Sequence, residues 1–296
     1  MANADERMAV TVIGGYLGSG KTTLVNHLLK NATERVAIIV NDFGDINVDL
    51  DLIESRDDNT IELSNGCICC SMVDGFSAAL DAITAYEPRP DRLVVETSGV
   101  ADPAQVAAYG HGPGLALDAV IVLADVETIR AASVDKYVGQ TVTQQLASAE
   151  ILIANKADLV DASELAETVA WLGEQCPDAF ILTATNSEVA AEVLFGRPST
   201  LDDEPGDAHH HPERIFTTTT IAPDEPLTRD EVEAMMQALP PETTVRAKGL
   251  VQLADEPDPY VLQRVGLRWT LRKSRTPWPG EPASQVVVIS RIEHEF

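Results

Sequence analysis

Short apolar runs alternate with helical patterns up to about residue 195 of this chain. Most of the runs are continuous and rich in β-branched residues, as is typical of strands that are buried on both faces of a parallel sheet. Such an alternation predicts a doubly wound α/β domain. The predicted strands are Met8–Ile13, Val36–Val40, Thr60–Leu63, Arg92–Val95, Ala119–Leu123, Ile151–Ala154 and Phe180–Leu182, and the predicted helices include Lys21–Lys30, Val73–Ala85, Asp135–Ala147 and Ser163–Leu172.

A change of composition divides the chain. Residues 196–213 hold three prolines, two glycines and little hydrophobic material, and we interpret them as a linker between residues 1–195 and residues 214–296. The last part predicts a smaller α+β domain, in which Thr228 and Glu231 form a capping box at the start of a helix. We predict that helix at Arg229–Leu239 and strands of a mixed sheet at Arg214–Ile221, Val245–Leu253, Tyr260–Val265, Leu267–Leu271 and Val286–Ser290.

Charge and hydropathy limit the partners. The 296 residues include 47 acidic and 21 basic side chains, a net charge of −26. That charge repels nucleic acid and anionic membranes, so we expect neither as a partner. No apolar run is long enough for a membrane span, and the polar first residues do not resemble a signal peptide. We therefore expect a cytoplasmic protein.

The first predicted strand leads into a P-loop signature, Gly15-Tyr-Leu-Gly-Ser-Gly-Lys-Thr22, and then into a helix. In this setting glycines let backbone N–H groups converge on phosphate oxygens, and the helix dipole favours the negative charge. Lys21 is expected to reach the β- and γ-phosphates, and the Thr22 hydroxyl to ligate Mg²⁺. The predicted nucleotide-binding residues here are Gly15, Gly18, Ser19, Gly20, Lys21, Thr22 and Thr23.

Asn155-Lys-Ala-Asp158 directly follows another predicted strand. The Asp158 carboxylate can accept hydrogen bonds from N1–H and the exocyclic amine of guanine, whereas adenine would leave it desolvated and unpaired. The stem of Lys156 can lie across the base. The sequence therefore predicts that GTP is the nucleotide and that Asn155, Lys156 and Asp158 bind it.

Glu96-Thr-Ser-Gly99 follows the strand at Arg92–Val95. In P-loop GTPases an acidic residue at this place organises Mg²⁺ through water, and a glycine three residues later can donate its N–H to the γ-phosphate. We predict that Glu96 and Gly99 act with Lys21 in catalysis. The alternative is a helix N-terminus with Thr97 or Ser98 as its cap.

Cys67-Ile-Cys69-Cys70 places three thiols within four residues. Thiolates suit Zn²⁺ or Co²⁺, so we predict a metal site formed by Cys67, Cys69 and Cys70. A redox pair at Cys69-Cys70 and buried structural cysteines are the alternatives. Asp42, after the second strand, has a carboxylate that could reach Mg²⁺ or the thiolate metal, or could belong to a solvated turn.

Together these motifs resemble the CobW-like family of metal-handling P-loop GTPases, close to the urease and hydrogenase nickel-insertion GTPases. The most specific element of the resemblance is Gly66-Cys-Ile-Cys-Cys70, between the P-loop and the acidic strand end. The resemblance covers nearly the whole chain, including Arg246-Ala-Lys-Gly249 in the second domain. Asp42 and Asp45 stand where many members have Glu.

The resemblance implies a slow GTPase that is a metallochaperone or metalloenzyme activator. It would bind a transition metal at the cysteines and release it to a client metalloprotein on GTP hydrolysis, either alone or as a homo-oligomer. Zinc homeostasis, cobalt delivery and nitrile hydratase activation are linked to the family. The short tract His209–His211 would then be a loose metal ligand or an ordinary part of a polar linker. A regulatory GTPase with a redox-sensing thiol cluster is the alternative, whereas Asn155–Asp158 disfavours a small-molecule kinase.

Overall fold

The computed structural model describes residues 7–30, 34–40, 60–64, 80, 83–195, 216–274, 277–278 and 283–292. The chain divides into two compact units at Ala191 and Glu192. The predicted linker at 196–213 lies outside the described residues, and so does most of the helix predicted at Val73–Ala85.

A seven-stranded sheet organises the first unit. Its order is β3-β2-β4-β1-β5-β6-β7, and every neighbouring pair is parallel. Because the strands are parallel, the loops that follow them all leave from one edge. The strands are β1 (Met8–Gly15), β2 (Val36–Val40), β3 (Thr60–Ser64), β4 (Arg92–Glu96), β5 (Leu115–Asp125), β6 (Ile151–Asn155) and β7 (Phe180–Ala184).

Helices separate most of these strands along the chain, as the alternating pattern predicts. They are α1 (Lys21–Lys30), α2 (Pro103–Tyr109), α3 (Ile129–Ser133), α4 (Gly139–Ala147) and α5 (Ala162–Gln175), with a short 3₁₀ helix at Ala157–Leu159. A further helix, α6 (Ala191–Phe195), follows β7 at the boundary between the two units. Both α1 and α4 pack on the sheet, where the central strands are almost completely buried. The doubly wound α/β prediction is therefore confirmed.

The predicted helix Asp135–Ala147 starts too early. The Asp135 carboxylate accepts hydrogen bonds from the N–H groups of Tyr137 and Val138, at 2.7 and 3.1 Å. These bonds close a turn ahead of α4, which begins at Gly139.

The second unit contains a five-stranded sheet in the order β11-β10-β9-β12-β8. One face of it packs against α7 (Arg229–Ala238), whose Val232 and Met236 are buried. All neighbouring strands in this sheet are antiparallel, so the prediction of a mixed sheet is wrong. The strands are β8 (Phe216–Ile221), β9 (Thr244–Gln252), β10 (Pro259–Val265), β11 (Arg268–Lys273) and β12 (Gln285–Arg291).

Among the described residues, no helix has both the length and the apolar character that crossing a bilayer requires.

Candidate functional site

The carboxyl-terminal edge of the larger sheet brings the predicted nucleotide residues together. β1 ends at Gly15 beside Leu123 of β5, and Ile13 lies opposite Glu96 of β4. On the other side of β5, Asp125 lies opposite Asn155, the last residue of β6. Residues from four strand ends therefore border one region.

Glycine is required at two positions of the P-loop by close contacts. Gly15 and Gly20 have φ angles of +135° and +102°, which side chains disfavour. A Cβ atom at Gly15 would lie 2.8 Å from Ser19 Oγ, and one at Gly20 would lie 2.5 Å from Ser187 Oγ. The loop is thus packed tightly enough to fix the directions of its backbone N–H groups.

Lys21 lies at the first position of α1, and its charge is held within the P-loop. Its Nζ donates to the carbonyl oxygens of Gly15 and Tyr16, at 3.0 and 3.3 Å, and the residue is only 8 % exposed. Gly18 is exposed in the same loop with φ +75°, and Thr23 is half-buried in the first turn of α1. The loop therefore combines a buried ammonium group with a helix N-terminus, the pairing that suits a phosphate chain.

Two of the predicted Mg²⁺ residues are in contact. Thr22 Oγ1 donates a hydrogen bond to Glu96 Oε1 at 2.7 Å, across 74 residues of sequence. Glu96 is 2 % exposed. A hydroxyl and a buried carboxylate in direct contact are hard oxygen atoms of the kind that fits Mg²⁺. The buried hydroxyl of Ser19, in the P-loop, has no partner among the described residues.

The segment after Glu96 forms a turn and not the start of a helix. The N–H of Ala101 donates to Ser98 O at 3.1 Å, which closes the turn. The next helix, α2, begins at Pro103 and is capped by the Asp102 carboxylate, which accepts from Ala104 N–H at 2.9 Å. The alternative in which Thr97 or Ser98 caps a helix is therefore wrong.

Gly99 lies directly against the P-loop. A Cβ atom on Gly99 would come within 2.7 Å of Leu17 Cγ and 2.9 Å of Leu17 N. The hydroxyls of Thr97 and Ser98 are buried and have no partner among the described residues. The turn is thus adjacent to the loop that would hold the phosphates.

Asn155 ties the β6 end to the P-loop and to the loop after β7. Its Nδ2 donates to Ser19 O and Ser187 Oγ, both at 2.8 Å, and its Oδ1 accepts from Ser187 N–H at 2.8 Å. Ser187 Oγ in turn donates to Gly20 O at 3.0 Å. Asn155 is 1 % exposed, so these bonds fix the two loops relative to each other.

Lys156 and Asp158 follow Asn155 in a short irregular segment of the backbone. Lys156 adopts a left-handed conformation with φ +63°, and its Nζ lies 2.6 Å from Asp125 Oδ2. Asp158 is exposed within the 3₁₀ helix. The ion pair restrains the lysine, and the aspartate remains accessible to a ligand.

Sequence reasoning did not identify three residues of this region: Asp125, Gln145 and Ser187. Asp125 ends a strand at the same edge as Glu96 and Asn155, and that position was a usable signal. Gln145 and Ser187 belong to no recognised motif. They are joined to the site only by long-range hydrogen bonds, which sequence spacing does not reveal.

The predicted metal residues Cys67, Cys69, Cys70 and Asp42 lie outside the described residues, as does the tract at His209–His211. In the part of the chain that is described, no group of three or more His, Cys, Asp or Glu side chains could hold a metal ion. Cys176 is described, and burial raises the pKa of its thiol to about 11. It therefore stays protonated near neutral pH, as expected of an inert structural cysteine.

Comparisons with known families cover both units. The model for the CobW/HypB/UreG nucleotide-binding domain matches residues 9–182. The model for the cobalamin synthesis protein cobW C-terminal domain matches residues 216–295.

Curated relatives and a solved structure span nearly the same length. The chain is 29 % identical to the zinc chaperone CobW of Sinorhizobium sp., over 88 % of this chain and 86 % of the relative. It is 30 % identical to the zinc chaperone YjiA of Escherichia coli K12, over 97 % and 94 %. The fold is similar to that of a zinc-bound triple mutant of the YjiA GTPase, with 24 % identity, coverage of 96 % and 94 %, and a TM-score of 0.50.

Proposed function

Because the chain belongs to the CobW/HypB/UreG family of P-loop GTPases, we propose that it is a metallochaperone whose metal affinity depends on the bound nucleotide. Its cargo is a transition metal, Zn²⁺ before Co²⁺, and its partner is a client metalloprotein in the cytoplasm. Both of the relatives described above are named zinc chaperones.

GTP binding would use the residues that meet at the sheet edge. Lys21 would turn from the carbonyls of Gly15 and Tyr16 to the β- and γ-phosphates, where its charge offsets theirs. The Asp158 carboxylate would accept from the guanine base, with Lys156 beside it and Asn155 holding the loop in place. Gly15, Gly18, Ser19, Gly20 and Thr23 would line the phosphate cradle.

The contact between Thr22 and Glu96 supports a Mg²⁺ site next to the γ-phosphate. Bound there, Mg²⁺ would supply charge neutralisation for phosphoryl transfer. Thr22 Oγ1 would ligate it, and Glu96 would orient its water. Gly99, against the P-loop, would sense the γ-phosphate through its N–H. The P-loop, Glu96–Pro103 and Asn155–Asp158 contain no arginine, so we expect slow basal turnover.

The position of the cysteines after β3 is the observation that carries the metal proposal. β3 is parallel to its neighbour, so it ends at the same edge as the P-loop strand. β3 and β1 are three strand spacings apart in the sheet, about 14 Å. Cys67 follows Ser64 by three residues, a reach of about 10 Å, and Cys70 follows it by six, a reach of about 20 Å. The length of this segment therefore supports a thiol cluster that lies close to the nucleotide.

In the order of the sheet, the strands β2 and β4 lie between β3 and β1. Asp42 follows the end of β2 by two residues in sequence, and Gly99 lies in the turn after β4. A γ-phosphate that orders the segments after β2 and β4 would help bring the thiolates into ligand geometry, and hydrolysis would release them. By linkage, a metal that binds better in the GTP state must tighten GTP binding by the same factor.

The test is a Zn²⁺ competition titration of the full chain under reducing conditions, with GDP or a non-hydrolysable GTP analogue and Mg²⁺. We expect zinc affinity to be about tenfold or more higher with the analogue, within the usual range of coupling. Cys69→Ser should abolish tight zinc binding and leave GTP binding largely unchanged.

Cys176→Ser is the matched control, because that buried thiol is not among the proposed ligands. It should leave zinc affinity unchanged in both nucleotide states. Equal zinc affinity with GDP and with the analogue would reject the chaperone cycle. The redox-sensing GTPase would then be the better interpretation of the cysteines.

A further inference from the structure

A buried glutamine on α4 holds the turn that contains Gly99. Gln145 Nε2 donates to Gly99 O at 3.1 Å and to Ala101 O at 2.8 Å. The two carbonyls are 46 and 44 residues away in sequence. The side-chain amide of Gln145 thus donates two hydrogen bonds to the same turn, one to Gly99 and one to Ala101.

The orientation of this amide follows from its partners. Both neighbours are carbonyl oxygens, which only accept, so the NH₂ group must face them. Its Oε1 is then buried and has no partner among the described residues. Gln145 lies on the buried side of α4 with Val142 and Leu146 and is 1 % exposed. An apolar residue would suit that side better, so the amide is explained by the turn it holds and not by core packing.

The hydrogen bonds fix the peptide planes beside the phosphate loop. Because a trans peptide is planar, anchoring Gly99 O toward α4 directs Val100 N–H away from α4. The bond from Ala101 N–H to Ser98 O closes the same turn. Gly99 also lies against Leu17 of the P-loop. The turn is therefore hydrogen-bonded to α4 and packed against the P-loop.

We propose that Gln145 is a positioning residue for GTP recognition and hydrolysis: it holds the Gly99 turn beside the γ-phosphate position. The inference rests on the proposed role of Gly99 in sensing that phosphate. A turn that is already ordered loses less conformational entropy when GTP binds. Since GDP lacks the γ-phosphate, Gln145 should strengthen GTP binding and leave GDP binding unchanged.

The experiment compares GDP with a non-hydrolysable GTP analogue on the full chain, and measures kcat and KM for GTP. Gln145→Leu keeps the approximate size of the side chain and removes both donors. We expect it to lower the preference for the analogue over GDP by about tenfold and to lower kcat. An effect of this size is consistent with the loss of two hydrogen bonds. GDP affinity should stay within about twofold of the wild type.

Gln144→Leu is the matched control, because Gln144 is the exposed neighbour on the same helix. It should leave the preference and kcat unchanged. Gln145→Glu adds a second readout. Its carboxylate repels the two carbonyls, whereas the protonated acid can donate one hydrogen bond. Its preference for the analogue should therefore recover as the pH falls from about 8 to about 6, which Gln145→Leu should not show.

Gly99→Ala separates this inference from the proposed function, since its Cβ would displace the turn from Leu17. If Gly99→Ala lowers the preference and Gln145→Leu does not, the role of Gln145 is rejected and that of Gly99 stands. If Gly99→Ala leaves the preference unchanged, both are rejected. If Gln145→Leu weakens the binding of GDP and of the analogue equally and also lowers the Tm, then Gln145 has only a structural role.

Discussion

Arg92 places a buried positive charge near the amino-terminal edge of the larger sheet, away from the candidate site. Its Nε donates to Glu34 Oε1 at 2.7 Å, and its Nη1 donates to Asp118 Oδ2 at 2.5 Å and to Thr11 Oγ1 at 3.0 Å. Burial alone would lower the pKa of Arg92, but Asp118 and Glu34 outweigh it and raise that pKa. The guanidinium therefore stays charged and compensates two buried carboxylates.

We expect Arg92→Met to reduce the free energy of unfolding by about 3–5 kcal/mol, because Glu34 and Asp118 would stay buried without their counter-charge. Chemical denaturation at pH 7 measures this. Arg130→Met is the control: its partner Glu167 is 3.4 Å away and both side chains are at least half exposed. The control should change stability by about 0.5 kcal/mol or less. Equal effects of the two substitutions would contradict a structural role for the buried cluster.

The sequence identifies a site residue only where the residue belongs to a local motif, and not where it is joined to the site by a tertiary hydrogen bond alone. Thr22 and Glu96 are far apart in the chain, yet the sequence predicts a common role for both, because each belongs to a motif at the carboxyl end of a strand in a parallel sheet. Gln145 could not be assigned in this way, since it occupies an ordinary place in a helical pattern and its partners are more than forty residues away. Tertiary hydrogen bonds of that kind have no local signal.

Helices and strands were predictable where local chemistry decides them. The bounds of α1 are those predicted, and the capping box of Thr228 and Glu231 is formed. The strands β4 and β6 extend one residue further than predicted, to Glu96 and Asn155. An apolar pattern ends before such polar residues, but the backbone pairing of a parallel sheet continues through them.

Strand direction in the smaller sheet was missed although two connections indicate it. Two residues, 266 and 267, separate β10 from β11, and six residues, 253–258, separate β9 from β10. Connections so short join antiparallel strands, because a parallel crossover needs about a dozen residues or more. The connection from β8 to β9 is longer and contains α7, so it carries no such signal. Direction there depends on tertiary pairing.

The N-terminus of α5 offers a test at the level of one helix. The Asp161 carboxylate accepts from the N–H groups of Ser163 and Glu164, both at 2.9 Å. We expect Asp161→Ala to lower the free energy of unfolding by about 1 kcal/mol, because two donors of the first turn lose their acceptor. Asp161→Asn keeps an acceptor and should cost only a few tenths of a kcal/mol. If the two variants are equally destabilised in urea denaturation, the capping hydrogen bonds are not the cause.

At the scale of the molecule, hydrophobic cores in both units stabilise a chain of high negative charge. Among the described residues, one cluster lies on a face of the parallel sheet, and another lies between α7 and the antiparallel sheet. The net charge of −26 opposes both, since compact units hold like charges closer together than an unfolded chain does. The free energy gained from hydrophobic burial thus has to exceed an electrostatic repulsion that weakens as the salt concentration rises.

We therefore expect sodium chloride to raise the Tm by about 5 °C between about 0.02 M and 0.5 M at pH 7.5, because it screens repulsion between exposed carboxylates. Chloride is preferable to sulfate, which stabilises proteins through its exclusion from their surfaces whatever their charge. Lowering the pH to about 5.5 brings the chain closer to its isoelectric point of about 4.4 and reduces its net negative charge, so the same addition of salt should raise the Tm less there. A Tm that falls with added chloride at pH 7.5 would mean that attractive ion pairs, such as the one between Lys156 and Asp125, outweigh the repulsion.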